Sequence, residues 1–358
     1  MLTVLVCVPS LTRSTLEVFE VPEAPGAVGS RRIFDAGVLE TPAELDAAIK
    51  GLTGKVPGID LGVFYGPFGG TEVCSPVLVD ESVLKRVEEL TPRSPMTLPA
   101  VSGAMKVFAE HNVGVPAVFD YGSGFFARLP RRERFYAIDP EAARKLGLER
   151  TGFHGLFHAA AVAGLRQDAT GDTRPPIRTL SICLEPRPEA AAVLDDRPLM
   201  VTGGATPLEG LPGQTTCGEI DPGMVLILAQ EQHWSPEQIA DSLTRESGLL
   251  GLVGRPTTLS ELFASKEPSA NLGREMMLYR LLLATGTAIS ALGGLDRIVF
   301  SGRHAALGEE IGAWLCERLA RLPGDVKPRV ELLERGFMEL LLEDALRFRL
   351  EMFPTVPI

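Results

Sequence analysis

Short runs of apolar and β-branched residues open the chain and recur in its middle. Residues 3–8 and 15–21 are two such runs, and the polar loop 9–14 separates them. The same order of strand, loop and strand returns between residues 179 and 194, with the loop at 185–189. We therefore predict one strand–loop–strand unit at the start of each half of an internally duplicated chain.

Residues with capping preferences mark the starts of several helices. Thr41 precedes Pro42 and stands three residues before Glu44, so a capping box predicts a helix to about residue 50. Ser235 and Asp221 each precede a proline in the same way. Apolar residues at helical spacing predict three further helices, and a short apolar run predicts another buried strand. The helices lie at about 272–283, 307–319 and 332–348, and the strand lies at 297–301.

Composition adds limits on size and partners. The chain has 358 residues, a length typical of about two domains. Hydrophobic residues make up 45% and charged residues 23%, as in a folded globular protein. With 35 Lys and Arg against 46 Asp and Glu, the net charge is −11. That charge disfavours nucleic acid or an anionic membrane as a partner bound through bulk electrostatics.

The five cysteines are scattered and form no C-x-x-C pair. This pattern favours a reducing cytoplasm over a disulfide framework or a structural zinc site. The apolar start of the chain is short and lacks a basic beginning, so it predicts a strand rather than a signal peptide. No stretch is long, apolar and uncharged enough to predict a membrane span.

The common nucleotide-binding and hydrolase motifs are missing. The sequence has no G-x-x-x-x-G-K-[ST], no complete G-x-G-x-x-G, no G-x-S-x-G and no H-E-x-x-H. From the pattern of residues alone, the prediction is an α/β protein with two related halves.

The sequence resembles the acetate kinase family, of the actin-like ATPase superfamily, in four segments that keep the family order. These segments are Val-Pro-Ala-Val-Phe-Asp at 115–120, Thr-Gly-Phe-His-Gly at 151–155, Thr-Pro-Leu-Glu-Gly-Leu at 206–211 with Gly-Glu-Ile-Asp-Pro at 218–222, and Ser-Gly-Leu-Leu-Gly-Leu at 247–252 with Gly-Gly-Leu-Asp-Arg-Ile-Val-Phe at 293–300.

The resemblance implies an α/β fold of two actin-like (ribonuclease H-like) domains with a central cleft. It places the first domain at residues 1–148 and the second at 149–339, with a final helix, about 340–358, packing back on the first domain. It also implies a cytoplasmic homodimer that uses Mg-ATP to phosphorylate a short carboxylate. Neither nucleic acid nor a membrane is expected as a partner.

The two arginines that the family uses on the phosphoryl group are replaced. The first stands in the family motif HRVVHGG, and Tyr65 occupies its place ahead of Gly69 and Gly70. The second stands in MGTRxG, and Thr216 occupies its place. A neutral hydroxyl cannot replace a bidentate guanidinium on a phosphoryl group, so the resemblance implies weakened transfer.

The phosphate-binding hairpin loops also depart from the family. The family loop NAGSSSLK becomes residues 8–14, where Pro9 removes a donor and Arg13 is a candidate cation. The family loop CHLGNG becomes residues 183–188, with Glu185, Arg187 and two prolines. In the adenosine loop, Gly302 survives and Arg303 follows it. We therefore predict Gly302, Arg303, Arg13 and Arg187 as the nucleotide-binding residues.

Asp120 and His154 are the predicted catalytic residues. In the family, the aspartate matching Asp120 orients a catalytic arginine and the metal, and the histidine matching His154 contacts the transferring phosphoryl group. Each also has a structural interpretation, as a strand-end cap and as a hydrogen-bonded core histidine. His154 and His158 are four residues apart, a zinc-ligand spacing that lacks a third ligand. Glu339 aligns with the family's metal-linked glutamate.

Three functions fit these residues. The first is a relative of the acetate kinases with weak, altered or lost phosphorylation of a short carboxylate, which includes a non-catalytic partner subunit. The second is a phosphotransferase that uses Asp120 and His154 with the cations Arg13, Arg187 and Arg303. The third is a metabolite sensor that binds ligand without turnover.

Overall fold

The chain divides into two compact units. The computed structural model describes residues 1–9, 14–23, 29–52, 54–70, 76–91, 98–163, 165, 175–206, 208–322 and 326–352. Unit one comprises Met1–Ala127 and Phe337–Ile358, and unit two comprises Arg128–Gly336. The domain boundaries at residues 148 and 339, taken from the resemblance, stay predictions.

Unit one is built on a mixed sheet of six strands. Its order is β3-β2-β1-β4-β6-β5, in which β1, β4 and β6 are parallel and the remaining pairs are antiparallel. The strands are β1 (Leu2–Val8), β2 (Ser14–Val21), β3 (Arg31–Leu39), β4 (Leu61–Gly66), β5 (Val77–Leu78) and β6 (Ala117–Tyr121). The first predicted strand–loop–strand unit is therefore confirmed in β1 and β2.

Three helices of unit one are α1 (Pro42–Lys50), α2 (Glu81–Glu89) and α3 (Leu98–His111). Half of the capping box predicted for α1 is present, because the Thr41 side chain accepts a hydrogen bond from the backbone N–H of Glu44 at 3.2 Å. The Glu44 carboxylate accepts from the N–H of Glu40, at 2.8 Å, instead of from that of Thr41. Helix α3 buries Phe108 against Phe64 of β4, with ring centroids 5.4 Å apart. Burial of one such ring contributes about 2–3 kcal/mol.

Unit two repeats the strand plan of unit one. Its sheet has the order β11-β10-β7-β8-β9, where β7, β10 and β11 are parallel and β7, β8 and β9 are antiparallel neighbours. The strands are β7 (Arg178–Cys183), β8 (Glu189–Leu194), β9 (Arg197–Val201), β10 (Arg297–Ser301) and β11 (Arg329–Leu332). The order β9-β8-β7-β10-β11 matches β3-β2-β1-β4-β6, which confirms the predicted duplication.

The helices of unit two include two whose starts the sequence predicts. Ser235 and Gln238 form a complete capping box, whereas the Asp221 carboxylate accepts from the N–H of Gly223 and the helix begins there. The helices are α4 (Arg131–Arg134), α5 (Pro140–Leu146), α6 (Gly155–Ala161), α7 (Gly223–Glu231), α8 (Pro236–Arg245), α9 (Gly248–Val253), α10 (Leu259–Ala264), α11 (Pro268–Leu292) and α12 (Gly308–Leu319).

The last helix returns the chain to unit one. The prediction of a helix from residue 332 is wrong at its start, because Arg329–Leu332 pairs in parallel with β10 as β11. The helix α13 spans Phe337–Met352 and packs against β6. Among the described residues, no helix is long and apolar enough to cross a membrane.

Candidate functional site

In unit one, the structure brings Asp120 and Tyr65 side by side. They are register partners on the parallel strands β6 and β4, close to the carboxyl ends of both strands. Both are buried, with Asp120 only 1% exposed. The carboxyl end of a parallel sheet is the usual edge for ligand binding in α/β folds, so the position of Asp120 suits the predicted catalytic role.

Tyr65 fills the predicted arginine position with an aromatic contact. Its ring meets that of Phe337, the first residue of α13, edge to face at 4.8 Å. The nearby Gly69 is needed for packing, since a β-carbon there would lie 2.4 Å from the ring of Tyr121. The family glycine at Gly69 is thus retained for a structural reason, while the neighbouring cation is absent.

In unit two, the ends of β7 and β10 bring several predicted residues together. Gly302 has φ of +87°, and a β-carbon there would lie 3.0 Å from the backbone of Leu184. The N–H of Leu184 donates to the carbonyl of Ser301 at 2.8 Å. This close approach requires glycine and sets the loop after β7 against the turn after β10. A role of Gly302 in nucleotide binding stays a prediction.

Arg303 forms an ion pair with Glu185 and is hydrogen-bonded to it twice. Its backbone N–H donates to one carboxylate oxygen at 2.8 Å, and its Nε donates to the other at 2.9 Å. The Arg303 side chain is 62% exposed, and that of Glu185 is 12% exposed. The cation predicted to meet phosphate and the carboxylate of Glu185 therefore neutralise each other.

His154 lies against the loop that carries Arg187. Its Nε2 is 2.9 Å from the carbonyl oxygen of Arg187. A carbonyl only accepts, so this bond assigns the imidazole proton to Nε2. The guanidinium of Arg187 lies 5.8 Å from the ring centre of Phe153, the residue before His154. The structure thus brings together two predicted residues, one catalytic and one nucleotide-binding.

Several charges act on the imidazole of His154. Burial lowers its pKa below the ordinary histidine value, and the charges of Arg187 and His158 lower it further. The carboxylates of Glu189 and Glu185 act in the opposite direction, but the pKa remains lowered. His154 is therefore largely neutral at neutral pH, with its lone pair on Nδ1.

Glu189 is a buried carboxylate that the sequence analysis placed in a loop without a role. It begins β8 and accepts from the N–H groups of Phe153 and His154, at 3.0 Å and 2.9 Å. His158 Nε2 lies 3.2 Å from the same carboxylate, and His158 Nδ1 lies 2.8 Å from the Ser181 hydroxyl. His158 is therefore a fully bonded core histidine, which disfavours the zinc interpretation.

Burial by itself raises the pKa of Glu189, but its partners outweigh that effect. The hydrogen bond from His158 and the charges of His154 and His158 bring the pKa of Glu189 below its ordinary value. Glu189 is thus ionised in the folded protein. The sequence signal that could have revealed it is a glutamate directly before a run of apolar strand residues.

Thr216 is buried in a tight turn. Its carbonyl accepts from the N–H of Gly213 at 3.0 Å, and a β-carbon at Gly213 would lie 2.3 Å from the Thr216 hydroxyl. Gly248 has φ of +61°, and a β-carbon there would lie 2.2 Å from the carbonyl oxygen of Gly213 and 2.5 Å from that of Thr216. The close approach of the chain in this turn therefore requires glycine at both 213 and 248.

The remaining predicted residues fall outside these groups. Arg13 lies outside the described residues. Glu339 is exposed in the first turn of α13, within unit one. The part of the chain that the structure describes contains no cluster of three or more His, Cys, Asp or Glu residues suited to a metal ion. The metal-linked role of Glu339 stays a prediction.

The repeated sheets define an α/β protein of two actin-like domains. The same fold occurs in solved structures: an acetate kinase from Porphyromonas gingivalis has a TM-score of 0.77 at 21% identity, covering 96% of this chain and 98% of that one. A propionate kinase from Francisella tularensis has a TM-score of 0.79 at 19% identity, with the same coverage of both chains.

Sequence comparison defines the family. Residues 65–324 match the acetokinase family model. The acetate kinase of Rhodopseudomonas palustris is 33% identical over 260 residues, which are 73% of this chain and 65% of that protein. The acetate kinase of Syntrophobacter fumaroxidans is 31% identical over 282 residues, 78% and 68% of the two chains. The chain belongs to the acetokinase family, as predicted.

Proposed function

We propose that this protein is a carboxylate kinase that transfers the terminal phosphoryl group of ATP to a short carboxylate at a low rate. Family membership and the position of Asp120 at the carboxyl end of β6 support the reaction class. The observation that supports the low rate is the burial of neutral Tyr65 and Thr216 at the two arginine positions.

Phosphoryl transfer requires the protein to compensate the negative charge of the phosphate groups. Loss of one cation or donor that stabilises the transition state typically reduces the rate by about 10² to 10⁵. In unit two, Arg303 already pairs with Glu185, so it compensates only part of a phosphate charge. Arg187 of this loop and the adjacent His154 remain as candidate cations, and His154 is cationic only at low pH.

ATP and the carboxylate enter this proposal as substrates, and magnesium arrives with the nucleotide. The loop after β7 contains Pro186 and Pro188, which have no N–H, and the N–H of Leu184 is bonded to Ser301. This loop does not form a cradle of backbone donors for a triphosphate. We therefore expect weak binding of Mg-ATP.

Turnover tests the reaction class. With Mg-ATP and acetate, propionate or butyrate, we expect slow ADP formation that depends on the carboxylate. Asp120→Ala should abolish it, whereas Asp241→Ala, in an exposed ion pair of α8, should leave it unchanged. If no carboxylate stimulates ADP formation in the wild-type chain, the kinase proposal is wrong.

The second candidate is a non-catalytic subunit or metabolite sensor. The mutual neutralisation of Glu185 and Arg303 favours it, because a free phosphate-binding cation is then missing from that turn. Isothermal titration separates the two candidates. Binding of Mg-ATP or a carboxylate without any turnover supports the sensor, and carboxylate-dependent turnover excludes it.

We also propose that the chain forms a homodimer through exposed apolar helix faces. Helix α7 buries none of its residues, and Met224, Leu226 and Ile227 are each about half or more exposed. On α11, one face exposes three apolar residues at helical spacing, namely Leu272, Tyr279 and Leu283. A second copy offers the same apolar surface, as a two-fold interface requires.

A cytoplasmic location is part of the proposal. The cysteines that the structure describes are free thiols, and two of them, Cys7 and Cys183, are buried in the strands β1 and β7. Free thiols persist in a reducing compartment. Fractionation of cells that express the tagged chain tests this, and recovery outside the cytoplasm would contradict it.

A further inference from the structure

The carboxylate of Glu189 is hydrogen-bonded to the segment that carries His154. It is 3% exposed and receives both backbone N–H groups of the turn at residues 153–154. Gly203 makes room for it, since a β-carbon at residue 203 would lie 2.0 Å from Oε2 of Glu189. A buried charge with this many donors fixes the backbone around it, because each donor would otherwise be unsatisfied.

The hydrogen bonds leave one ring atom of His154 for a ligand. Nε2 donates to the carbonyl of Arg187, and within the described residues Nδ1 makes no hydrogen bond. A neutral imidazole held in this way presents a lone pair at Nδ1, which a phosphoryl oxygen cannot accept from. Contact with an unprotonated phosphoryl oxygen therefore requires the imidazolium, whose Nδ1–H donates.

Four charged or titratable groups face His154. Glu189 lies on β8, Arg187 and Glu185 lie on the loop after β7, and His158 lies one turn along α6. Arg187 and His158 disfavour the imidazolium, and Glu185 is engaged with Arg303. Glu189 is the buried carboxylate that both touches the backbone of His154 and favours its charged form.

We propose that Glu189 is a positioning residue. Bonded to His158, it fixes His154 with Nε2 on Arg187, and its own carboxylate sustains the imidazolium that donates from Nδ1 to an anionic phosphoryl ligand. The assignment rests on the proposed function for the identity of that ligand. Glu189 thereby supports a positive charge in unit two, where Thr216 replaces the family arginine of that unit.

The test is an imidazole titration by NMR on the full chain labelled with ¹⁵N-histidine, with His154→Gln identifying the signals. In the wild-type chain, we expect the neutral ring of His154 to be the Nε2–H form. In Glu189→Gln, the pKa of His154 should fall by about one unit, since a nearby opposite charge is lost. Inorganic phosphate near pH 6 should then bind about tenfold more weakly.

Glu219→Gln is the matched control, because Glu219 forms an exposed ion pair with Arg280 in the same unit. It should change neither the titration of His154 nor phosphate binding. If Glu189→Gln does not fold, His158→Gln removes one donor to Glu189 while keeping the carboxylate, and it should shift the same titration. The opposite tautomer in the wild-type chain overturns the proposal without any variant.

The turnover assay tests the proposed function, and the His154 titration tests the positioning role of Glu189, so either proposal can fail without the other. A chain without carboxylate-dependent ADP formation, but with a His154 titration that responds to Glu189, contradicts the proposed function and keeps the positioning role. A chain that turns over while its His154 titrates identically in wild type and Glu189→Gln contradicts the positioning role alone. Unchanged phosphate affinity in a folded Glu189→Gln also overturns it.

Discussion

Gly69 shows how a single residue of a functional motif can be retained for packing. A β-carbon at this position would lie 2.4 Å from the ring of Tyr121, well inside van der Waals contact. The motif around it has lost its arginine to Tyr65, yet the glycine remains. Survival of a motif residue is therefore weak support for survival of the chemistry, and each position has to be examined for contacts.

Gly69→Ala should destabilise unit one by about 1–3 kcal/mol, because the ring of Tyr121 has to move from a packed position. The control is Gly103→Ala in the middle of α3, where a β-carbon meets nothing within 4 Å. That change should be neutral or stabilising by up to about 1 kcal/mol through helix propensity. Urea unfolding of both variants checks the pair, and equal stabilities would contradict the packing explanation.

Glu189 marks the limit of what sequence reasoning can find at this scale. The chain around His154 predicts a catalytic residue through its resemblance to the family, and the structure places that residue in a bonded turn. Its main partner is 35 residues away and reaches it only through the folded sheet. No spacing rule links Phe153, His154 and Glu189, so their contact becomes visible only in three dimensions.

At the scale of elements, local signals predict most starts and ends. Strands β7, β8 and β10 lie within one residue of the predicted bounds, because each is a short apolar run between turn residues. The segment at residues 329–332 is the exception. Its residues have no strong local preference, and pairing with β10 makes them a strand, which a helical pattern could not reveal.

The loop after β7 gives a prediction about nucleotide binding. Glu185→Gln removes the carboxylate that holds Arg303, so Arg303 becomes available to a phosphate group. Mg-ATP should then bind several-fold more tightly by isothermal titration, in line with one added charge-assisted contact. The control Glu267→Gln breaks the exposed pair with Arg255 and should leave binding unchanged. Weaker binding in Glu185→Gln would show that Glu185 itself organises the site.

The ion pair between Arg178, at the start of β7, and Asp296 predicts how the stability of the fold depends on pH. The Arg178 side chain donates to Asp296 at 2.6 Å and 3.0 Å and, with the nearby charges, keeps the pKa of that carboxyl below its ordinary value. A lowered pKa contributes stability at neutral pH that is lost as the pH falls through the folded-state pKa. Because the pair is one-third exposed, Asp296→Asn should cost about 1 kcal/mol or less at neutral pH.

Urea unfolding at neutral and acid pH checks this prediction. The difference between wild type and Asp296→Asn should shrink to nothing in acid. Asp241→Asn, in an exposed pair of α8, serves as the control and should change stability little at either pH. A difference between wild type and Asp296→Asn that persists in acid would mean that packing, rather than charge, explains the effect.

At the scale of the whole molecule, duplication of the sheet explains how the fold tolerates the replacement of the family arginines. Both units use the same strand order, and their buried cores depend on apolar positions that the substitutions at the site leave intact. Residues such as Tyr65 and Thr216 fit into these units without a cation. The fold is therefore predictable from family motifs, whereas the proposed low rate depends on a few side chains.

The exposed apolar faces of α7 and α11 give a prediction about assembly. Leu226→Glu with Ile227→Glu should convert a dimer into a monomer, since two charges would be buried in an apolar interface. Light scattering after size exclusion measures the mass. The control Leu146→Glu changes an exposed leucine of α5 and should leave the dimer intact. A wild-type monomer at micromolar concentration would contradict the homodimer.

Our proposal that this chain phosphorylates a short carboxylate slowly depends on the neutral residues at its two arginine positions. The most direct test is kcat/KM for acetate with saturating Mg-ATP, measured beside a family member that has arginine at both positions. We expect carboxylate-dependent turnover at least about a hundredfold lower in this protein. Equal rates in the two enzymes would contradict it, because Tyr65 and Thr216 would then not limit the transfer.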